Sequence, residues 1–398
     1  MTNRDLRAIT IPRATIEPAA VNGRCWDVVV IGAGPAGGIA ARQSALRGLT
    51  TLLVDRKAFP REKVCGGCLN AAAIGILDSV GLADLPGRLG AVRLTRFSLR
   101  TAGHCATIAL PEGVAVSRSA FDAALVSEAV AAGATFLPET MACPEPADAE
   151  MPVRTVRLDH RGRTVGRVTA GVVLAAGGLG HPGLSQREEF RSEVSPDARI
   201  GVGTLLDRFP EQYAVGTIHM AVARNGYVGL VRVDGDRLNI AAAVDAEPMR
   251  KESSPAAVVA AILEQAGFPK IESLNSACWQ GTVPLTRHLT QPAGTRLLVL
   301  GDAAGYVEPF TGEGMAWALA GGLAAARLVP RDVDHWNETI EQQWSRRQQQ
   351  QIGSRQRWCR RLAGLLRHPV GVNLTVRMLG RFPNLARPIV NRLNTMER

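Results

Sequence analysis

No stretch of this 398-residue chain has the roughly 18 consecutive apolar residues that a membrane-spanning helix needs. Met1 to Asn22 carry charges but no compact apolar region with a cleavage site, so a secretory signal is not expected either. Seven cysteines, an odd number spread through a large chain, do not form the pattern of a disulfide framework and fit a reducing compartment. The cytoplasm is the expected location. No Cys or His pair at zinc spacing accompanies Cys65 and Cys68, since Cys105, Cys143, Cys278 and Cys359 stand alone, and no metal site is expected. Internal repeats and low-complexity linkers are missing too, apart from a short glutamine run at 348–351. What remains is an ordinary globular balance, 46% hydrophobic and 21% charged, long enough for two interleaved domains.

Acidic residues are scarce at one end only. From Trp344 to Arg398 there are twelve arginines and a single acid, Glu397, so this segment carries +11 of a net +10 and the rest is nearly neutral. Leu362, Leu365 and Leu366 interleave these charges at helical spacing, which favours a solvated helical face whose arginine stems cover apolar surface. The other reading is peripheral contact with an acidic membrane surface or an acidic partner. No nucleic-acid-reading motif accompanies the charge, and no nucleic-acid partner is expected.

The β-branched run from Trp26 to Ile31 ends abruptly in glycine and predicts a buried parallel strand. A helix over Pro35 to Leu46 and a strand over Thr51 to Val54 complete one β-α-β unit. A helix is predicted over Ser117 to Ala132, and strands over Ala134 to Leu137 and Val168 to Ala175. The pattern then shortens and alternates, with strands at Tyr227 to Val233 and Arg237 to Ala242 joined by Asp234-Gly235-Asp236, a hairpin signal. Arg296 to Leu300 returns to a parallel strand and precedes a helix over Gly314 to Leu328. From Asp332 the chain looks helical, with breaks at Pro369, Pro383 and Pro388. The expected fold class is therefore α/β, α+β overall: a Rossmann-like parallel sheet interleaved with a mostly antiparallel-sheet domain and a helical C-terminal region. The expected boundaries are 24–85, 115–185 and 290–330 for the first, 86–114 and 186–289 for the second, and 331–398 for the third.

The sharpest motif is Gly32-Ala33-Gly34-Pro35-Ala36-Gly37, between strand and helix. Gly32 permits the turn, Gly34 admits a pyrophosphate to the backbone, Gly37 lets helix and strand pack, and the helix N-terminus offers free N–H groups to the anion. Asp55 closes the second strand 18 residues after Gly37, where its carboxylate can accept ribose hydroxyls, and Arg56 follows it. The reading is a dinucleotide site. Far along the chain, Leu300-Gly301-Asp302-Ala303-Ala304-Gly305 repeats the strand-then-glycine layout, and Glu308-Pro309-Phe310-Thr311-Gly312-Glu313-Gly314-Met315 leads into the next helix.

This pair of motifs resembles the FAD oxidoreductases of the p-hydroxybenzoate hydroxylase-like superfamily, closest to its geranylgeranyl reductase-like branch, over about residues 25–330. The resemblance implies FAD as cofactor, with Asp302 on the ribityl hydroxyls. It also implies that Gly312 to Met315, including Gly314, present N–H groups to the flavin N1–C2=O edge. The loop Arg61-Glu62-Lys63-Val64-Cys65-Gly66-Gly67-Cys68-Leu69 is similar to the branch's Cys-Gly loop near the flavin, which adds Cys65 and Gly66 to the cofactor site. Arg118 matches a family arginine near the cofactor, although a surface arginine at a helix start reads nearly as well. Cys65 and Cys68 form a C-x-x-C that reads as unlinked loop thiols, with a redox pair as the alternative.

Three departures qualify the match. Ala176-Gly177-Gly178 replaces the Asp-Gly pair of the hydroxylases, Tyr227 to Arg232 lacks the Trp and Pro of the prenyl reductases, and the Trp-x-Trp-x-Ile-Pro element of the halogenases is absent. The superfamily's larger class tips the expectation to an NAD(P)H-driven monooxygenase hydroxylating a hydrophobic, aromatic or other, small molecule. The alternatives are a reductase saturating C=C bonds of a prenyl or other lipophilic substrate, and a redox-sensing flavoprotein that turns nothing over. No general base stands out, and Cys65, Tyr227 and Arg232 are the catalytic candidates.

Overall fold

The computed structural model describes residues 11–148, 151–185, 187–252, 254–308, 312–350, 364 and 368–394. The chain opens with strand β1 (Cys25–Ile31), helix α1 (Pro35–Leu46) and strand β2 (Thr51–Val54). A hairpin of β3 (Arg96–Thr101) and β4 (His104–Ala109) precedes α2 (Arg118–Ala131), β5 (Thr135–Leu137) and the long β6 (Arg163–Ala175). Four strands follow, β7 (Ile200–Leu206), β8 (Thr217–Ala223), β9 (Gly226–Val233) and β10 (Arg237–Val244), then α3 (Pro255–Gln265) and β11 (Gln280–Pro284). The last elements are β12 (Leu297–Val299), α4 (Gly314–Leu328), α5 (Pro369–Arg381) and α6 (Arg387–Asn394).

Two sheets carry the architecture. The first has the parallel path β12-β6-β1-β2-β5, with one short antiparallel strand beside β12 and two further antiparallel strands joined through β6. The second runs β11-β7-β10-β9-β8-β3-β4, antiparallel throughout except between β8 and β3. The α/β class with an antiparallel insertion therefore holds. The expected strand at 168–175 starts five residues earlier: Arg163 to Gly166 pair antiparallel with Leu158 to His160 and are exposed or partly exposed, so no apolar run marks them. Residues 338–350 are helical, and Trp344 there is fully buried, its indole N–H donating to the Val299 carbonyl at 3.1 Å. The apolar spacing at Leu362, Leu365 and Leu366 lies outside the described residues.

In the parallel sheet β1 leads out to β2 on one side and β6 lies on the other, so the chain order reverses between β1 and β6. Ligands of open α/β sheets bind at the carboxyl ends of the strands flanking such a reversal. Register brings three ends level there: Ile31 pairs with Ala175, and Ala175 with Val299. Glycine follows or lies one residue beyond each end.

Two glycines of the neighbouring helices are demanded by packing. A Cβ on Gly37 would lie 1.7 Å from the Gly32 carbonyl oxygen, so no other residue lets α1 sit this close to the turn. Gly322 of α4 plays the same part against α1, where a Cβ would meet the Ala36 oxygen at 2.1 Å and Ile39 at 2.5 Å. Gly322→Val therefore levers α4 off α1. It should cost about 3 kcal/mol, with a matching fall in the urea midpoint.

The antiparallel sheet buries His219 of β8 among aromatic rings, edge-on to Tyr213 at 5.5 Å and to Phe268 at 5.9 Å. Neither ring nitrogen makes a well-formed hydrogen bond, and the Ala214 carbonyl acts on the ring only weakly. Burial pushes the imidazole down to about 4, more than the nearby Ala214 carbonyl raises it. Because the folded value lies below the unfolded one near 6.5, the unfolded chain binds the extra proton between the two. Stability is thus full above pH 6.5 and falls as pH drops towards 4, by about 3 kcal/mol. Urea unfolding at several pH values should show this loss, and His219→Phe should flatten it.

Candidate functional site

One cavity of about 690 Å³ opens at the reversal point and runs across the antiparallel sheet to α5 and α6. Its near end is built from the glycine-rich turns. Gly34 is the N-cap of α1 and Pro35 its first residue, so the first N–H groups of the helix face the cavity with no side chain before them. Gly34 has extended backbone (φ −81°, ψ −171°), and a Cβ there would touch only the Arg118 and Arg61 guanidinium tips, at 3.5 and 3.7 Å. The protein itself does not require this glycine. Open space before a helix N-terminus, flanked by two cations, suits a pyrophosphate.

The cations are held by an acid. Asp122, fully buried four residues beyond Arg118, accepts from Arg118 Nε at 2.8 Å and Nη2 at 2.7 Å, and lies 3.1 Å from Arg61 Nη1. Arg61 also reaches Asp55 at 3.3 Å. Asp55 is buried and partly engaged by the protein, accepting from the Ala33 N–H at 2.8 Å and the Lys57 N–H at 2.9 Å. A carboxylate has about four acceptor sites, which leaves capacity for a ribose hydroxyl. Arg56 is exposed at the same rim. Gly32, Ala36, Cys65, Gly66, Gly301, Asp302, Gly312, Gly314 and Met315 all line the cavity as well, whereas Gly37 stands behind it as packing.

Lys63 was not singled out from the sequence. Its ammonium lies 3.6 Å from Asp302, and a Cβ on Gly178 would come within 2.9 Å of it. The side chain bridges the ends of β6 and β12. Burial, with Arg118 and Arg61 nearby, holds Lys63 below the usual ammonium range even though Asp302 opposes this. Over the same loop, Asn239 of β10 donates to the Cys65 carbonyl at 2.9 Å, tying the two sheets together. Cys65 and Cys68 are free thiols. Burial, then the neighbouring Cys65, pushes Cys68 up to about 12, so this thiol stays protonated at neutral pH and is a poor nucleophile. Among the described residues no group of three His, Cys, Asp or Glu side chains could hold a metal ion.

The far end of the cavity is apolar. Leu94, Phe97, Leu99, Ile108, Met220 and Val231 line it from the sheet side, and Val372, Val376 and Leu379 close it from α5. Between the two ends stand Tyr227, Tyr306 and Glu308, three polar side chains. Tyr227 shares a hydrogen bond with Glu308, which accepts from Arg199 Nη1 at 3.1 Å; Arg199, 1% exposed, also reaches Asp245 at 3.1 Å and lies 5.7 Å from the Tyr227 ring centroid. Burial, then Glu308, raises the Tyr227 phenol well above its usual value, so it keeps its proton. Arg232 does not reach this site. It packs on Phe209 and donates to the Tyr213 carbonyl at 2.6 Å, because it alternates away from the face that Tyr227 and Gly229 present to the cavity.

The model of the FAD binding domain family matches residues 25–327, which takes in every strand and glycine turn of this site. The chain belongs to that family. It is an FAD-dependent oxidoreductase. Among curated proteins it is similar to a menaquinone reductase of Mycolicibacterium smegmatis, 28% identical over 319 residues (76% of each chain). A digeranylgeranylglycerophospholipid reductase of Methanopyrus kandleri is 29% identical over 321 residues, 78% of this chain and 81% of that one. Among solved structures, p-nitrophenol 4-monooxygenase from Pseudomonas putida shares the fold with a TM-score of 0.76 at 13% identity, covering 94% of this chain and all of that one. The family membership agrees with the expected superfamily, and the curated relatives with the reductase-like branch.

If Asp122 organises both arginines at Gly34, Asp122→Asn leaves a buried guanidinium without its counter-charge. FAD affinity should fall at least about tenfold and stability by about 3 kcal/mol, read by flavin fluorescence titration and urea unfolding.

Proposed function

We propose that this flavoprotein reduces a C=C bond in a long apolar, isoprenoid-like chain. The observation that carries the reading is the shape and lining of the cavity. It leaves the FAD loops as a polar passage and continues along a mostly aliphatic and aromatic wall up to α5, where Thr375 is a polar exception, which suits an extended hydrocarbon better than a compact polar ring. Of the reductases described above, one is named for menaquinone and the other for a digeranylgeranyl phospholipid, and the second name supports a prenyl-chain substrate here.

FAD, when bound and reduced, supplies a hydride to one alkene carbon, and the other carbon needs a proton. In our reading Arg61, Arg118 and the α1 N-terminus hold the pyrophosphate, Asp55 the adenosine ribose, and Asp302 the ribityl chain. Lys63, paired with Asp302, places positive charge beside the flavin. Tyr227 holds a proton at the junction of the polar and apolar ends, kept in place by Glu308 and Arg199. A nicotinamide is the proposed source of electrons.

Hydroxylation of a hydrophobic substrate fits the same family and fold, and oxygen separates the two. Holoenzyme reduced without air should be reoxidised by a polyprenyl substrate, giving a product two mass units heavier per bond. Turnover that requires dioxygen, with labelled oxygen in the product, would overturn the reductase reading. Titrating NADH and NADPH into the oxidised enzyme tests the donor. Tyr227→Phe should lower the anaerobic rate by about a hundredfold at unchanged flavin content, and an unaffected rate would remove Tyr227 from the proton path.

A further inference from the structure

The C-terminal helices have two apolar sides. One is accounted for: Val372 and Val376 pack with Leu99, Met220 and Tyr227 over the antiparallel sheet. Thr101 donates to Asn373 at 2.8 Å, and a Cβ on Gly380 would lie 2.6 Å from the Cys105 carbonyl, so α5 is seated closely. The other side faces outward. Val370, Leu374 and Met378 recur every four residues along α5, Phe382 and Leu385 lie in the turn after it, and Ile389 lies in α6, all between 42% and 82% exposed. Single exposed apolar residues need no explanation, but a stripe of six gathered on one short segment does.

Charge decides what fits it. Arg377, Arg381 and Arg387 are exposed beside the stripe, and no acid occurs from Gln342 to Met396. Helices that lie in a membrane interface combine these features, with an apolar face in the acyl boundary and arginines at the phosphates. Nucleic acid would meet the arginines but leave six apolar side chains without use. No helix among the described residues is long and apolar enough to span a membrane, so contact is from the surface.

We propose that α5 and α6 dock this protein on an anionic lipid bilayer, with the cavity opening beneath them. Ile389 belongs both to the exposed stripe and to the cavity lining, and Val390 lines the cavity beside it, so the apolar passage emerges within the docking face. A chain embedded in the bilayer could then enter without crossing water. This last step rests on the substrate reading above, whereas the docking itself does not.

The test uses the full-length holoenzyme and sedimentable vesicles of phosphatidylcholine, with or without about one-third phosphatidylglycerol. At about 1 kcal/mol for each arginine near an anionic surface, the three exposed arginines should favour the anionic vesicles by about a hundredfold at low salt. Raising salt from about 0.1 to about 0.5 M should erode that preference. The triple variant Arg377→Gln, Arg381→Gln, Arg387→Gln should lose it. The triple variant Leu374→Ser, Met378→Ser, Phe382→Ser should bind either vesicle at least about tenfold more weakly. Flavin content should be unchanged in both, which excludes misfolding. Vesicle binding that is absent, or equal in all three proteins, would overturn the proposal, as would tighter binding to duplex DNA or an acidic peptide than to the anionic vesicles. Vesicle binding without polyprenyl reduction would leave docking standing and sink only the substrate reading.

Discussion

The level register of Ile31, Ala175 and Val299 is the constraint on which the molecule depends. Those three residues end neighbouring parallel strands drawn from positions over 260 residues apart in the chain. Only because they finish at one height do Gly32, the Gly177-Gly178 pair and Gly301 form a single rim. A slip of one residue would turn every buried strand side chain to the opposite face of a sheet covered on both sides. The cores above and below it, with Val28, Val30, Leu53 and Leu298 on one side and Val29, Leu52, Val173 and Val299 on the other, therefore fix the rim as well as the fold.

Electrostatics at the rim is arranged in layers. Asp122 is sealed in and acts on nothing directly; its part is to aim Arg118 and Arg61 at the space before Gly34. Asp55 likewise spends two acceptor positions on the backbone N–H groups of Ala33 and Lys57, which locks the turn after β1 to the end of β2. At the other end of the site Lys63 and Asp302 form an ion pair across two strand ends. The charges that remain open to the cavity are thus cationic near the helix N-terminus and mixed near Asp302, the distribution an elongated nucleotide cofactor with one diphosphate calls for.

Much of this was legible in the sequence, for identifiable reasons. The β1-α1-β2 unit and α4 were readable because β-branched runs broken by glycine carry a strong local signal, and α1, β2 and α4 keep the expected ends. The arginine cage was less legible. Arg118 and Asp122 do stand at i and i+4 on a helix, a spacing that brings side chains together. Arg61, though, is recruited from a loop 57 residues before Arg118, and nothing local announces that. The second half of β6 was found and its first half missed, because a strand partly exposed and polar has no apolar pattern. The seat of α5 on the antiparallel sheet, and hence the closure of the cavity by Val372 and Val376, depends on contacts between segments about 270 residues apart.

The central claim is that two glycine-tipped strand ends converge on one FAD molecule, and Gly34 offers the cleanest access to it. Its backbone suits any residue, and a Cβ there makes only ordinary contacts with Arg118 and Arg61, so an added methyl group is tolerated by the protein and opposed only by the cofactor. Flavin stoichiometry and affinity of purified Gly34→Ala and Asp302→Ala, set against their unfolding midpoints, test this directly. The account predicts that both variants stay folded and both lose FAD by at least about a hundredfold in affinity, about 3 kcal/mol. Full flavin retention by either variant would contradict it.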